Sequence, residues 1–209
     1  MNRKPLEPLV KQIVAAHDID VVVLAEMHSA PFAMAATLSE KSGRRPFHHT
    51  PPAEYEKVHV FARFDPSLVI PVYDTGRMTV RHFVLPGRDS VVVAGVHLGS
   101  KMYLRDDQQA ARCVDLSLQL AKQETKVGHT RTILVGDFNV NPFEHGVAGA
   151  PGFNAVMTRA IASRGSRAVD AKKHPFFYNP MWNHFGDGGP NPPGTYYYCS
   201  TRCWCGQRC

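Results

Sequence analysis

The chain has 209 residues, and its 24 Lys+Arg against 18 Asp+Glu give a formal net charge of +6, which suits either a polyanionic partner or a basic solvated surface. With 44% hydrophobic and 20% charged residues it is too apolar for a disordered chain and too mixed for a coiled coil or collagen-like repeat, and its length suits about one domain. The most apolar run, Val21 to Ala25, is far too short to span a bilayer, and no apolar core of about 7–15 residues follows Met1-Asn2-Arg3-Lys4-Pro5, so neither a membrane span nor a secretory signal is expected.

Leu6, Leu9, Val10, Ile13 and Val14 recur at 3- and 4-residue spacing and predict a helix, with Pro5 and Pro8 suited to its first turn. Asp20-Val-Val-Val-Leu-Ala-Glu26 is short, apolar and β-branched, which predicts a buried central strand ending in a carboxylate. Residues 30–41 read as helix, and 42–56 as loop by their Gly, Pro and Thr content. Val58, Val60, Ala62 and Phe64 alternate, so 57–64 is predicted as a half-buried strand, followed by strands at 68–73, 78–85 and 90–98. A polar-faced helix is expected at 105–124 and a buried strand at Thr132 to Val135, opening onto Gly136-Asp137-Phe138-Asn139. Residues 153–163 read as helix and Thr195 to Tyr198 as a strand. The pattern is mixed, with mostly antiparallel strands, no internal repeat and no linker between domains.

Three strand ends carry polar groups that a core has no use for: Glu26, His97, and the pair Asp137 and Asn139. A hard cation such as Mg²⁺ takes oxygen ligands and keeps several waters, so one or two carboxylates suffice to hold it. A second carboxylate can orient or deprotonate water, an amide can hold a phosphate oxygen, and an imidazolium can stabilise charge building on phosphorus. Singly, each also has a plain structural use: a solvated strand cap for Glu26, a structural histidine at His97, an Asp-initiated turn at Asp137. Their co-occurrence and order along the chain favour the chemical use.

The segments Asp20-Val-Val-Val-Leu-Ala-Glu26, Val96-His97-Leu98 and Val135-Gly136-Asp137-Phe138-Asn139, with the weaker Arg105-x-x-Gln108, resemble the endonuclease/exonuclease/phosphatase (DNase I-like) superfamily. Its members include apurinic endonucleases, pancreatic-type deoxyribonucleases, neutral sphingomyelinases and inositol polyphosphate phosphatases. The resemblance covers about residues 2 to 198. It implies an α+β fold, a four-layer αββα sandwich of two mainly antiparallel sheets with helices outside. It also implies a Mg²⁺- (or Mn²⁺-) dependent phosphodiesterase or nuclease-type hydrolase acting on a phosphoester, with nucleic acid among the candidate substrates. By the same resemblance Glu26 binds the metal, and Asn2 falls where an early polar residue helps set the metal geometry. Asp137 positions and activates water, Asn139 contacts the scissile phosphate, and His97 stabilises it.

The sequence departs from the family at both ends. The first family strand would already be finishing at Met1-Asn2. After Asp187 there is no acidic residue and after His184 no histidine, so the family's Ser-Asp-His segment is missing. The expectation is an incomplete domain over 1–198 with an aberrant Cys-rich tail over 199–209, and weak activity or none; the alternative is an inactive relative that retains phosphate or nucleic-acid binding. Cys199, Cys203, Cys205 and Cys209 offer a competing reading as zinc ligands, although their spacing is unlike the usual paired knuckles. Cys113, alone in the body of the chain, reads as a buried inert thiol, and so sparse a cysteine content fits a reducing, cytoplasmic location. Two further features have split readings. Arg44, Arg45, His48 and His49 form either a polyanion-binding loop or a solvated one. Phe176, Phe177, Tyr178 and Trp182, near Asn179 and Asn183, either stack bases or pack the fold.

Overall fold

The computed structural model describes residues 6–40, 43–50 and 57–185. Asn2, the strand expected at 195–198 and the Cys-rich segment lie outside them. The chain forms two compact units, Met1–His97 with Leu120–Phe138, and Leu98–Gln119 with Asn139–Cys209.

In the first unit, α1 (Glu7–Ala16), β1 (Val21–Ala25), α2 (Pro31–Ser39), β2 (His48–His49) and β3 (Val58–Ala62) precede β4 (Val69–Asp74), β5 (Met78–Phe83) and β6 (Val91–His97). The second half of α3 (Asp106–Val127) and β7 (Thr132–Asp137) complete it. One sheet runs β1-β3-β2 and the other β4-β5-β6-β7. All pairs are antiparallel except β6 with β7.

Alternation along each strand builds the layers. Val60 and Ala62 of β3 share a core with Val69, Phe83 and Val93 of the second sheet, and Val21 and Val23 pack against it. Phe61 and Val22, on the other face, bury against Val14 of α1 and Met34 and Leu38 of α2. The two sheets approach closely at Gly95, where an added Cβ would lie 2.8 Å from both Val23 and Val58. Beyond the second sheet, the Thr132 hydroxyl donates to Glu124 of α3 at 2.5 Å. Burial pushes the Glu124 carboxyl up, a trend this bond opposes. Helix, sheet, sheet and helix thus follow one another, and the fold is α+β as expected.

Three readings of burial and one of secondary structure need correction. The middle strand of the first sheet is β3, buried at every position because it is covered on both faces, whereas β1 is an edge strand among the described residues and only partly buried. The strand at 132–137 forms, but Ile133 and Val135 are 56% and 42% exposed. They share a face with Val93 and Gly95, at the edge of the sheet among the described residues. Inside the expected loop 42–56, β2 pairs with β3.

In the second unit, residues 153–163 are not one helix. Asn154, with φ of 49°, turns the backbone into the short strand β8 (Ala155–Val156), and α4 (His145–Ala148) and α5 (Arg159–Ala162) flank it. The Asn154 amide donates to the carbonyls of His174 and Pro175 at 2.8 Å, holding the hairpin β9 (Ser166–Val169) and β10 (Lys172–Pro175). Its turn places Asp170 and Ala171 at φ of 48° and 61°, the left-handed pair that matches strand twist. The last strand, β11 (Phe177–Tyr178), pairs parallel with β8. Cys113 is fully buried and free, and burial, with Glu144 nearby, raises its thiol to about 11, which makes it inert as expected. Among the described residues no helix is long and apolar enough to cross a membrane.

Candidate active site

Glu26, His97 and Asp137 come together at one end of the first unit's paired sheets. His97 continues the face of Val93 and Gly95 toward the opposite sheet, and its backbone N–H donates to the Arg77 carbonyl at 2.9 Å, which fixes the strand end. Asp137 is its Cα partner across the parallel β6–β7 pair, so both side chains leave the same face.

Glu26 needs a different device. On β1, Val22 and Leu24 face the helices, and simple alternation would send Glu26 the same way. Instead its φ is 55°, a left-handed conformation uncommon outside glycine, asparagine and aspartate. This turn swings the carboxylate toward the other sheet, and Glu26 Oε1 lies 3.6 Å from His97 Nε2. The Glu26 side chain is 77% exposed and that of His97 only 19%. A non-glycine residue held in a costly backbone region at a polar strand end is what functional sites show.

Gly136 is required for the same geometry. Its φ is 149°, and a Cβ there would stand 2.0 Å from the Val96 carbonyl oxygen. A side chain at 136 would push β7 off β6 and move Asp137 away from His97.

Asn139 belongs to the second unit. Also left-handed at φ of 50°, it donates from Nδ2 to the Leu98 carbonyl at 2.7 Å. Gln109, 1% exposed on α3, donates from Nε2 to the Gly99 carbonyl at 2.8 Å and to the Asn139 carbonyl at 3.2 Å. Two amides therefore cross-link the loop after β6 to the loop after β7. Sequence reasoning missed Gln109 and pointed to its neighbour. Gln108 makes only a local bond, accepting from the Arg105 N–H at 3.0 Å. The one available signal was helical position, since Gln109 precedes the buried Cys113 by four residues and Gln108 does not.

Of the aromatics singled out in the sequence, Trp182 packs against other rings and Tyr178 lies under the Arg159 guanidinium at 5.7 Å. Trp182 lies 6.0 Å from Phe185 and 6.5 Å from Phe143, ring centre to ring centre. Among the described residues no group of three or more His, Cys, Asp or Glu is placed to hold a metal ion. What exists is an open oxygen-donor edge. The exposed Glu26 carboxylate is a single oxygen donor at the strand end, which suits a hard cation that keeps most of its waters.

The Endonuclease/Exonuclease/phosphatase family model matches residues 8–207. No curated protein matches the sequence. Among solved structures, TDP2 from Caenorhabditis elegans is similar at 16% identity and a TM-score of 0.44, covering 66% of this chain and 43% of that one. ANGEL2, a 2′,3′-cyclic phosphatase, is similar at 14% identity and a TM-score of 0.47, covering 68% and 46%. The human Nocturnin catalytic domain is similar at 17% identity and a TM-score of 0.47, covering 71% and 63%. The chain thus spans less than two thirds of the length of each of these structures.

Proposed function

Because the chain belongs to the endonuclease/exonuclease/phosphatase family, we propose that it hydrolyses phosphoesters, phosphodiesters of the nucleic-acid type included, at the edge formed by Glu26, His97 and Asp137. The observation that carries this reading is the convergence of those three groups, with Glu26 turned toward His97 by its left-handed backbone.

Glu26 holds the divalent cation, Mg²⁺ or Mn²⁺, which when bound supplies Lewis-acid polarisation of a phosphoryl oxygen. Asp137 orients a water and takes its proton as the water attacks phosphorus in line. His97 donates a hydrogen bond to a phosphoryl oxygen, where negative charge builds. Asn139 holds the loop after β7 through its amide, which donates to the Leu98 carbonyl. Acid–base work at this edge falls to His97 and Asp137. A body with one buried free thiol suits a reducing compartment, the cytoplasm.

Hydrolysis of a chromogenic phosphodiester, first with Mg²⁺ and then with excess chelator, tests the reading. Release that chelator abolishes and added Mg²⁺ restores supports it. Release indifferent to chelator, or none at any metal concentration, refutes it in favour of a phosphate-binding relative without turnover.

A further inference from the structure

The opposite end of the same unit carries a buried charge that the fold leaves unanswered. Arg63, just past β3, is only 8% exposed. Its backbone N–H donates to the Asp20 carbonyl at 3.0 Å, which ties it to the start of β1. Its guanidinium lies 4.5 Å above the Phe47 ring and makes one long contact, Nη1 to the Arg45 carbonyl at 3.5 Å. Nε is buried with no partner, and among the described residues no carboxylate pairs with Arg63.

A desolvated guanidinium without a counter-charge is costly, and folds rarely keep one without use. Arg63 lines a cleft of about 320 Å³ with Asp20, Arg44, Arg45 and Phe64. The acids nearby are already engaged. Asp20 accepts from Arg44 at 2.9 Å, and Asp18 pairs with the other nitrogen of Arg44. Asp65 accepts from the Ser67 N–H at 2.9 Å and hydroxyl at 2.6 Å, bonds that hold its carboxyl below the usual range, with Arg45 and His48 adding to the effect. Among the described residues neither Arg45 nor Arg63 lies within ion-pair distance of a carboxylate.

We propose that this cleft binds a phosphate group, with Arg63 as its buried anchor and Arg45 as its exposed arm. A phosphate offers several acceptors to a planar five-donor fork, and the cleft lacks them. β1 separates the cleft from Glu26: six residues at about 3.3 Å each put the two ends roughly 20 Å apart. The cleft is therefore a second phosphate position, distinct from the catalytic edge, and it stands whether or not the chain turns over substrate.

The test is the thermal unfolding midpoint of the whole chain in inorganic phosphate against chloride of equal ionic strength. A phosphate-specific rise of about 3 °C near saturation is expected. It persists when the catalytic edge is disabled by H97A with D137N, and disappears in R63M. Without phosphate, R63M unfolds no lower than the parent, because relief of a buried charge offsets the lost contacts with the Phe47 ring and the Arg45 carbonyl. Should R63M fail to fold, Arg45→Gln must weaken the phosphate response instead. A dodecameric oligothymidylate separates the sources: a salt slope smaller by about 1 in R63M assigns the site to a nucleic-acid backbone. An unchanged slope assigns it to free phosphate. A rise that vanishes with H97A/D137N and survives in R63M, or no rise at all together with a lower ligand-free midpoint for R63M, overturns the proposal and makes Arg63 a packing residue.

Discussion

The two ends of the first unit's sheets carry opposite chemistry. At one end, where β1, β6 and β7 finish, stand Glu26, His97 and Asp137, two of them carboxylates that suit a cation. At the other, where β1 begins and β3 finishes, stand Arg44, Arg45 and Arg63, guanidiniums that suit an anion. Between them a third arrangement shows what a satisfied buried charge looks like. Arg81 Nη1 reaches both Asp74 oxygens at 2.8 and 3.0 Å, and Nε donates to Thr50 at 3.1 Å. The Thr79 hydroxyl completes the carboxylate's shell. Arg81 and Arg63 are both almost fully buried. Arg81 has its carboxylate partner inside the fold; among the described residues Arg63 has none, which is what leaves it to the proposed ligand. Burial alone does not separate the two uses of arginine, whereas a count of acceptors does.

The largest expected effect is at the catalytic end. Asp137→Asn keeps the shape and removes the base, so metal-dependent hydrolysis should fall by roughly 10²–10⁴-fold with the unfolding midpoint unchanged. Comparable loss of rate and of stability would instead make Asp137 a strand cap and dissolve the contrast between the two ends. In the interior, Asp74→Ala removes the carboxylate that the buried Arg81 Nη1 donates to. Urea unfolding should register a loss of about 3–5 kcal/mol, and a loss under 1 kcal/mol would show that the distinction drawn from Arg81 is wrong. Gly136→Ala forces a Cβ into the Val96 carbonyl at a φ that alanine avoids. A cost of about 2–4 kcal/mol is expected. Weaker metal-dependent turnover should accompany it, since β7 must shift to make room, and full stability would mean that the β6–β7 register is looser than the contact implies.

How far the sequence reaches differs between these places. The β-branched runs at 21–25, 58–62 and 91–97 announce strands because alternation and burial act locally, and Gly-Asp-Phe-Asn marks a strand end because turn residues interrupt an apolar run. Glu26, His97 and Asp137 were legible as polar groups at strand ends. Their convergence was not, because it depends on which strands are neighbours and on the left-handed turn at Glu26, a backbone choice glutamate does not signal. Arg44 and Arg45 stood out as a basic pair, but Arg63 did not. It follows an alternating strand and reads as an ordinary solvated charge until the sheet partner and Phe47 are in place. The exposure of Ile133 and Val135 was likewise invisible, since an apolar strand reads the same at the centre of a sheet as at its edge.

The smallest effect expected lies at the basic end, in the histidines of its β5–β7 side. His82 and His129 meet with ring centres 5.4 Å apart, and His82 Nε2 is buried without a partner. Burial, with Arg131 adding to it, holds both imidazoles below their ordinary range. His129 Nδ1 accepts from the Arg131 N–H at 3.2 Å, so the ring is neutral and Nε2 donates to Ser90 at 2.9 Å. The unfolded chain takes up these protons near the ordinary histidine value of about 6.5, and the folded chain only at lower pH. Below that value the unfolded state binds more protons, so the contribution to stability is complete above it and is lost as pH falls toward the depressed folded values. The urea midpoint should therefore drop modestly between pH 7.5 and 5.5. His82→Phe should flatten the drop without abolishing it, because His48, also held down by burial, titrates the same way. An unchanged slope in that variant would mean that the basic end tolerates further positive charge. The phosphate cleft would then share its end of the sheets with a surface that does not resist cations, and Arg63 would have to be judged on its own missing partner alone.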